Sequence, residues 1–253
     1  MTDPFTLLLM TLFGYVGVPT FLARAGFSRV LKRLPETPPQ VALTFDDGPD
    51  PVWTPRILEI LDRHGVPATF FVLGSQAERH PDVVRQVAAA GHEVGVHGYR
   101  HRVPALLGLR ATLQDVGATV RVLTEILGRP PRYFRPPWGI FNLWTGLAAR
   151  RYNLFPVVWS LYVSEWSRST TAHSIYVDAM RHAQPGTVIL LHDCAGPGSR
   201  PDAPAIVARA LPRLITGLRR RGLQLVSLSR LLVHTKGGLP HAPGDSSVGS
   251  PRP

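Results

Sequence analysis

Val41-Ala42-Leu43-Thr44-Phe45 runs into Asp46-Asp47-Gly48-Pro49. An apolar run without polar alternation reads as a strand buried on both faces. The carboxylates and the Gly-Pro pair behind it read as the strand's end and a turn. Such a strand needs helices on both sides, and the flanking sequence supplies them. Thr54 and Pro55 open a helix through Ile57, Leu58, Ile60 and Leu61, and His64-Gly65 stops it. Ala68 to Leu73 is a second buried strand. A helix from about Pro81 to Ala90 stops at Gly91, before a short third strand, Glu93 to Val96.

The alternation continues to the far end of the chain. Helices are expected over 109–127, 146–151, 173–182 and 203–221, and strands at 155–159, 188–191 and 225–228, with Tyr133-Phe134-Arg135 leading into Pro136-Pro137. Short apolar strands alternating with helices imply a parallel α/β architecture, either a barrel or a doubly wound sheet. No dinucleotide fingerprint follows the first strand, and no internal repeat is visible.

Composition agrees with one globular domain: 253 residues, 44% apolar and 18% charged. A single cysteine, Cys194, excludes a disulfide framework and a Cys-rich zinc site. The formal charge is +11, and every basic residue except Lys32 and Lys236 is arginine. Such a charge favours anionic partners. The arginines are scattered, however, and the densest run, Arg219-Arg220-Arg221, sits where a helix C-terminus often carries cations. No nucleic-acid partner is expected.

Residues 4–23 are uncharged and mostly apolar, just long enough to span a membrane. Three readings compete. Ala23-Arg24-Ala25 looks like a signal-peptide cleavage site, although no cation precedes the apolar stretch. An uncleaved anchor fits the length. Arg24, Arg29, Lys32 and Arg33 would then keep the domain on the cytoplasmic side. The third reading is a helix packed on the domain, for which Gly14, Gly17 and Pro19 are poor material. The expected organisation is an anchor or signal segment with its linker over 1–36, one domain over 37–235, and a disordered Gly-, Pro- and Ser-rich tail over 236–253. The expected location is the cell envelope, membrane-anchored or secreted.

The polar exceptions fall where strands end, which in parallel barrels is where catalytic residues come from. His97 and His101, four apart, share one face of a helical turn and can reach one metal ion. An aspartate would complete a site with an open position. Asp46 and Asp47 repel one another unless a cation or a proton intervenes; alone, they are also ordinary turn chemistry. His192, ending Val188-Ile189-Leu190-Leu191, is either an acid–base group or a satisfied core histidine. Arg135 is a fixed charge on a loop stiffened by Pro136-Pro137.

Together these segments are similar to the NodB-like polysaccharide deacetylases, carbohydrate esterase family 4. Thr44-Phe45-Asp46-Asp47-Gly48-Pro49 resembles the family's first motif and His97 with His101 its second. Arg135-Pro136-Pro137-Trp138-Gly139 resembles the third, and Leu190-Leu191-His192-Asp193 the fifth. The resemblance spans residues 40–232. It implies a distorted (β/α) barrel and removal of N-acetyl, or O-acetyl, groups from an acetylated glycan. It implies that Asp47, His97 and His101 hold one divalent metal, zinc by default, with cobalt or nickel also suited. Asp46 would be the general base, Arg135 would keep it ionised, and His192 would protonate the leaving amine. The backbone N–H of Trp138 would help hold the oxyanion, Leu191 would line the acetyl pocket, and Trp166 would face the substrate.

Two departures stand out. Gly98 replaces the Ser or Thr that usually follows the first histidine. In the fourth motif, Tyr162 and Glu165 stand where two aspartates usually precede the tryptophan; Glu165 could still support His192. The competing expectation is a non-catalytic glycan-binding relative.

Overall fold

The computed structural model describes residues 3–25, 30, 38–196 and 198–232. The linker residues 35–37, the cations Arg29, Lys32 and Arg33, and the tail from 233 lie outside the described residues. Eight parallel strands run in the order β5-β4-β3-β2-β1-β7-β6, with β8 also on β1. They are β1 (Gln40–Asp46), β2 (Ala68–Val72), β3 (Glu93–Val96), β4 (Tyr133–Phe134), β5 (Phe155–Pro156), β6 (Leu161–Tyr162), β7 (Val188–His192) and β8 (Gln224–Leu225). The sheet path ends at β5 and β6, which only residues 157–160 separate, so the sheet curls into an incomplete barrel. That is the distorted barrel expected.

Strand β1 shows how both faces are covered. Val41, Leu43 and Phe45 pack outward in the main core under α2 (Trp53–Arg63), α4 (Pro81–Ala89), α5 (Leu109–Leu127) and α8 (Ala203–Arg220). Each fully buried side chain of this size contributes about 1.5–3 kcal/mol. Ala42 points the other way, into a second cluster with Phe71, Tyr133, Val157 and Val188 that fills the barrel. Val226, Leu228, Leu231 and Leu232 close its lower end. Three further helices, α3 (Gly74–Arg79), α6 (Thr145–Arg151) and α7 (Ala172–His182), complete the shell.

Several boundaries differ from the sequence reading. Thr54 does not cap α2. The Asp50 carboxylate does, accepting from Val52 N at 2.8 Å and Trp53 N at 2.7 Å, while the Thr54 hydroxyl donates to Asp193. The strand expected over 155–159 pairs only at Phe155–Pro156; the chain then turns and rejoins the sheet as β6. The last strand stops at Leu225, and α9 (Leu228–Leu232) begins instead of a continued strand. Its cause is Glu93, whose carboxylate accepts from Leu228 N and Ser229 N at 3.0 and 3.1 Å. A carboxylate on the free N–H groups of a helix start satisfies them and complements the dipole.

Helix α1 (Pro4–Arg24) is continuous despite Gly14, Gly17 and Pro19, because it widens into a π turn at Phe13–Gly17. Pro19 has no N–H to offer the Tyr15 carbonyl. That carbonyl instead accepts from Leu143 N in the domain, at 3.1 Å.

Candidate active site

Strand register brings the polar residues to one level. Asp46 pairs with His192 on one side and Phe71 on the other. Val96 pairs with Phe134, so the next residues, His97 and Arg135, stand side by side. All lie at the C-terminal ends of their strands, the face on which parallel barrels carry their chemistry.

Arg135 is fully buried inside the barrel. Its Nη1 donates to Asp46 Oδ1 at 2.7 Å and Thr44 Oγ1 at 2.9 Å, and its guanidinium lies 4.2 Å over the Phe71 ring. A buried charge is tolerable only when paired and hydrogen-bonded; Asp46 is the partner.

Asp47 is turned the other way. Its φ of 75° lies in the left-handed region, which a non-glycine residue adopts only when the surroundings impose it. Gly196 makes room, since a Cβ there would fall on Asp47 Oδ2. The carboxylate faces His97 Nε2 at 3.4 Å and His101 Nε2 at 3.3 Å, and among the described residues neither of its buried oxygens has a hydrogen-bond partner. Ligand bonds of about 2.0–2.1 Å at tetrahedral angles separate donor atoms by about 3.3 Å. The donor set and its spacing therefore fit one divalent cation with a coordination position left open.

The imidazoles are prepared for that work. His97 Nδ1 donates to the Arg135 carbonyl at 2.7 Å, which leaves Nε2 as the nitrogen facing Asp47; burial opposes a charge on this ring, but Asp46 and Asp47 beside it raise its pKa. Burial lowers the pKa of His101 to about 4, so the ring is neutral, as a ligand must be. Its edge rests on the Trp138 ring, with centroids 4.0 Å apart.

Gly98, the departure noted in the second motif, has φ 89°. The connecting loop is steadied from outside the motif: Tyr99 N donates to Asp115 Oδ2 at 3.0 Å, and Gly74 N and Ser75 N, at the start of α3, donate to the Gly98 and Tyr99 carbonyls. Asp115 and α3 were not anticipated from sequence, because neither lies near a motif.

His192 Nδ1 meets Glu165 Oε1 at 2.6 Å, and Trp166 packs on its ring at 4.6 Å. Burial alone would lower the His192 pKa. The Glu165 carboxylate, with Asp47 and Asp46 beyond it, outweighs burial and holds it at about 9. His192 is thus a protonated donor at neutral pH, and Glu165 makes that contact despite its extra methylene.

These groups line a pocket of about 240 Å³, walled by Trp138, Trp159, Tyr162 and Trp166. Leu191 does not line it. With a side-chain period of two, Leu190 shares the inward face with His192, whereas Leu191 is buried in the core beneath the helices. Trp159 was missed as a pocket residue; its only sequence signal was an aromatic at the end of an apolar run. Asp193 supports the site from below: Thr54 Oγ1 donates to its Oδ2 at 2.5 Å, and burial pushes its pKa up to about 7.

Comparison with known proteins agrees with this geometry. Residues 33–157 match the polysaccharide deacetylase family. A peptidoglycan-N-acetylglucosamine deacetylase of Bacillus cereus is 34% identical over 78% of this chain and 70% of its own length. A chitooligosaccharide deacetylase of Sinorhizobium fredii is 36% identical over 80% of this chain and 96% of its own. A solved peptidoglycan N-acetylglucosamine deacetylase superposes with a TM-score of 0.76 at 32% identity, covering 85% of this chain and 97% of that one. With its strand-end carboxylates, imidazoles and curled parallel sheet, the chain belongs to the polysaccharide deacetylases of carbohydrate esterase family 4.

Proposed function

We propose that this deacetylase hydrolyses the N-acetyl group of N-acetylglucosamine-type units in a cell-envelope glycan or glycan precursor. In this reading Asp47, His97 and His101 hold one divalent ion, zinc in the first instance. The observation that carries it is the buried Asp47 carboxylate: it has no hydrogen-bond donor, faces two imidazole nitrogens at 3.3 and 3.4 Å, and lies beside Asp46 and His192. The relatives' substrates, chitooligosaccharide and peptidoglycan, support the choice of sugar.

When bound, the ion polarises the acetyl carbonyl and makes water a better acid. The remaining work falls to the chain's own residues. Asp46, paired with Arg135 at 2.7 Å, takes a proton from the attacking water. The Trp138 backbone N–H would, as the family resemblance implies, help hold the oxygen on which negative charge builds. His192, kept protonated by Glu165, gives its proton to the departing amine; an acid and a base of this kind each contribute about 10²–10⁴ in rate. Trp138, Trp159, Tyr162 and Trp166 supply flat faces for a sugar ring. A non-catalytic binder has no use for a carboxylate left buried and unpaired between imidazoles, so the geometry lends that alternative no support.

Acetate release from a panel of acetylated glycans, with and without chelator, tests the reading. About one divalent ion per chain is expected, with activity lost to chelator and restored by zinc. Purified protein whose site zinc cannot fill would refute it.

A further inference from the structure

Helix α1 bears directly on the pocket. Its first part, residues 4–14, is mostly exposed, with Phe5, Leu7, Leu8, Leu9, Met10, Leu12 and Phe13 each at least 47% exposed. Its second part is docked. Tyr15 OH donates to the Leu107 carbonyl, and the Tyr15 carbonyl, freed by Pro19, accepts from Leu143 N. Thr20 Oγ1 exchanges hydrogen bonds with the backbone of Phe141 at 2.9 and 3.0 Å. Ala23 is buried against Phe141 and Val158. Arg24 lies 4.9 Å over the ring of Trp159, a pocket wall, and 3.5 Å from the carbonyls of Trp138 and Gly139. The helix therefore ends at the rim of the active site.

Length separates two kinds of anchor. The helix has 21 residues, of which only the last, Arg24, is charged, and mean hydropathy 1.8, enough for a full span at about 1.5 Å per residue. Residues 15–24 are held against the domain on one face, with Val18, Phe21 and Leu22 exposed on the other, and residues 4–14 project beyond that contact. Those 11 residues reach about 16 Å, half of a hydrocarbon core of about 30 Å. As docked, the helix can enter one leaflet but cannot cross both.

The domain surface beside it is apolar as well. Leu106 is 82% exposed and Leu143 55%, and Val103 and Leu109 stand exposed near them. These belong to the two segments that grip Tyr15. Asn142 ties the segments together, its Nδ2 donating to the Pro104 and Leu107 carbonyls at 2.9 Å. Arg100, Arg102 and Arg110 flank the patch and are exposed. Apolar side chains ringed by arginines on a stiff platform, continuous with an apolar helix, match a leaflet with anionic headgroups. Val103 is two residues from His101, so a leaflet seated here meets the pocket rim.

We propose that α1 is a one-leaflet anchor that seats the pocket at headgroup depth, and that the substrate is an N-acetylated sugar carried on a membrane lipid. The proposal rests on the deacetylase reading. The step is hydrolysis: the amide C–N bond breaks, water adds to the acetyl carbon, acetate leaves, and the sugar amine takes the proton.

The test uses the full chain loaded with zinc on anionic phospholipid vesicles. An N-acetylglucosaminyl lipid embedded in the vesicles is compared with soluble chitotetraose. We expect kcat/KM at least 10-fold higher for the lipid-borne sugar. The double variant Leu106→Asp, Leu143→Asp should lose that advantage and keep its rate on chitotetraose, which also shows that it is folded. A fluorophore on Leu106→Cys, with the native Cys194 buried, should shift to the blue and be quenched by brominated lipid. Equal kcat/KM for both substrates, or an advantage that survives the double variant, overturns the proposal. So does a Leu106 probe that stays in water while one on Leu8→Cys enters lipid, the result for a spanning, undocked helix. In each case chitotetraose turnover leaves the deacetylase reading standing; no acetate from either substrate removes both.

Discussion

Asp46 accepts from Arg135 at 2.7 Å, while Asp47, its neighbour in the chain, is rolled by its φ of 75° toward His97 and His101. Adjacent carboxylates are therefore given different partners, and substitution should separate them. Asp46→Asn keeps all three metal-facing side chains and removes the proton acceptor. It should retain metal near one per chain, with kcat down about 10²-fold or more. Asp47→Asn removes the charge that balances the cation, so metal and activity should fall together, with partial recovery in excess zinc. Metal analysis beside acetate release checks both; an empty site in Asp46→Asn would reverse the roles. His192 provides a third test. In the proposed mechanism the protonated ring is the active form, and Glu165 raises its pKa to about 9 against burial. Glu165→Gln leaves burial unopposed by its nearest anion, so that pKa should fall. The basic limb of the pH–rate profile should move to lower pH by about 1–3 units, the span an adjacent opposite charge supplies. An unmoved limb would mean that another group donates the proton.

At the level of elements, strand ends were legible in the sequence because a buried parallel strand has no place for Asp, His or Arg except where it emerges. Asp46, His97, Arg135 and His192 stood out for that reason. The inward face of β7 was not legible. Leu190 and Leu191 sit in an unbroken apolar run, and a strand covered on both sides carries no alternation to show which residue faces the pocket. Helix α3 is six residues long, too short to leave a periodic signal. Asp115 is 16 residues from Tyr99 in sequence, and only the packing of α5 brings its carboxylate under the His97–His101 loop. With glycine at 98 and no hydroxyl in the motif, that carboxylate is a main restraint on the loop. Asp115→Ala should leave the fold intact, since the residue is only partly buried, but weaken zinc binding by about 10-fold or more, the lower end of what supporting groups are worth. Zinc titration against a competing chelator measures it; unchanged affinity would show that α3 alone holds the loop.

At the scale of the whole molecule, residues 4–23 left three readings open in the sequence; in the structure residues 15–24 dock at the rim of the pocket and residues 4–14 project from it. Neither of the two large core clusters contains a residue of α1; Ala23 joins only the small one with Phe141 and Val158. Folding of the barrel should therefore not require the helix. What the helix adds is a few hydrogen bonds to Phe141, Leu143 and Leu107, and one cation–π contact on Trp159. At about 0.5–1.5 kcal/mol for each of these four hydrogen bonds and up to about 1 for the half-buried cation–π pair, the total is on the order of 2–7 kcal/mol. For a domain of this size about 1 kcal/mol moves Tm by roughly 2–4 °C. A chain beginning at Pro38 should therefore be soluble without detergent and melt cooperatively, roughly 5–25 °C below the full chain. It should keep its zinc and hydrolyse soluble chitotetraose, because no metal-facing residue touches α1. Its turnover should be lower rather than absent, since Trp138 and Trp159 lose the Arg24 contact that braces one wall of the pocket. Calorimetry, metal content and acetate release on the two chains compare them. A shortened chain that aggregates, while the full chain stays soluble without detergent, would show that α1 is part of the core and that its apolar face was never meant for lipid.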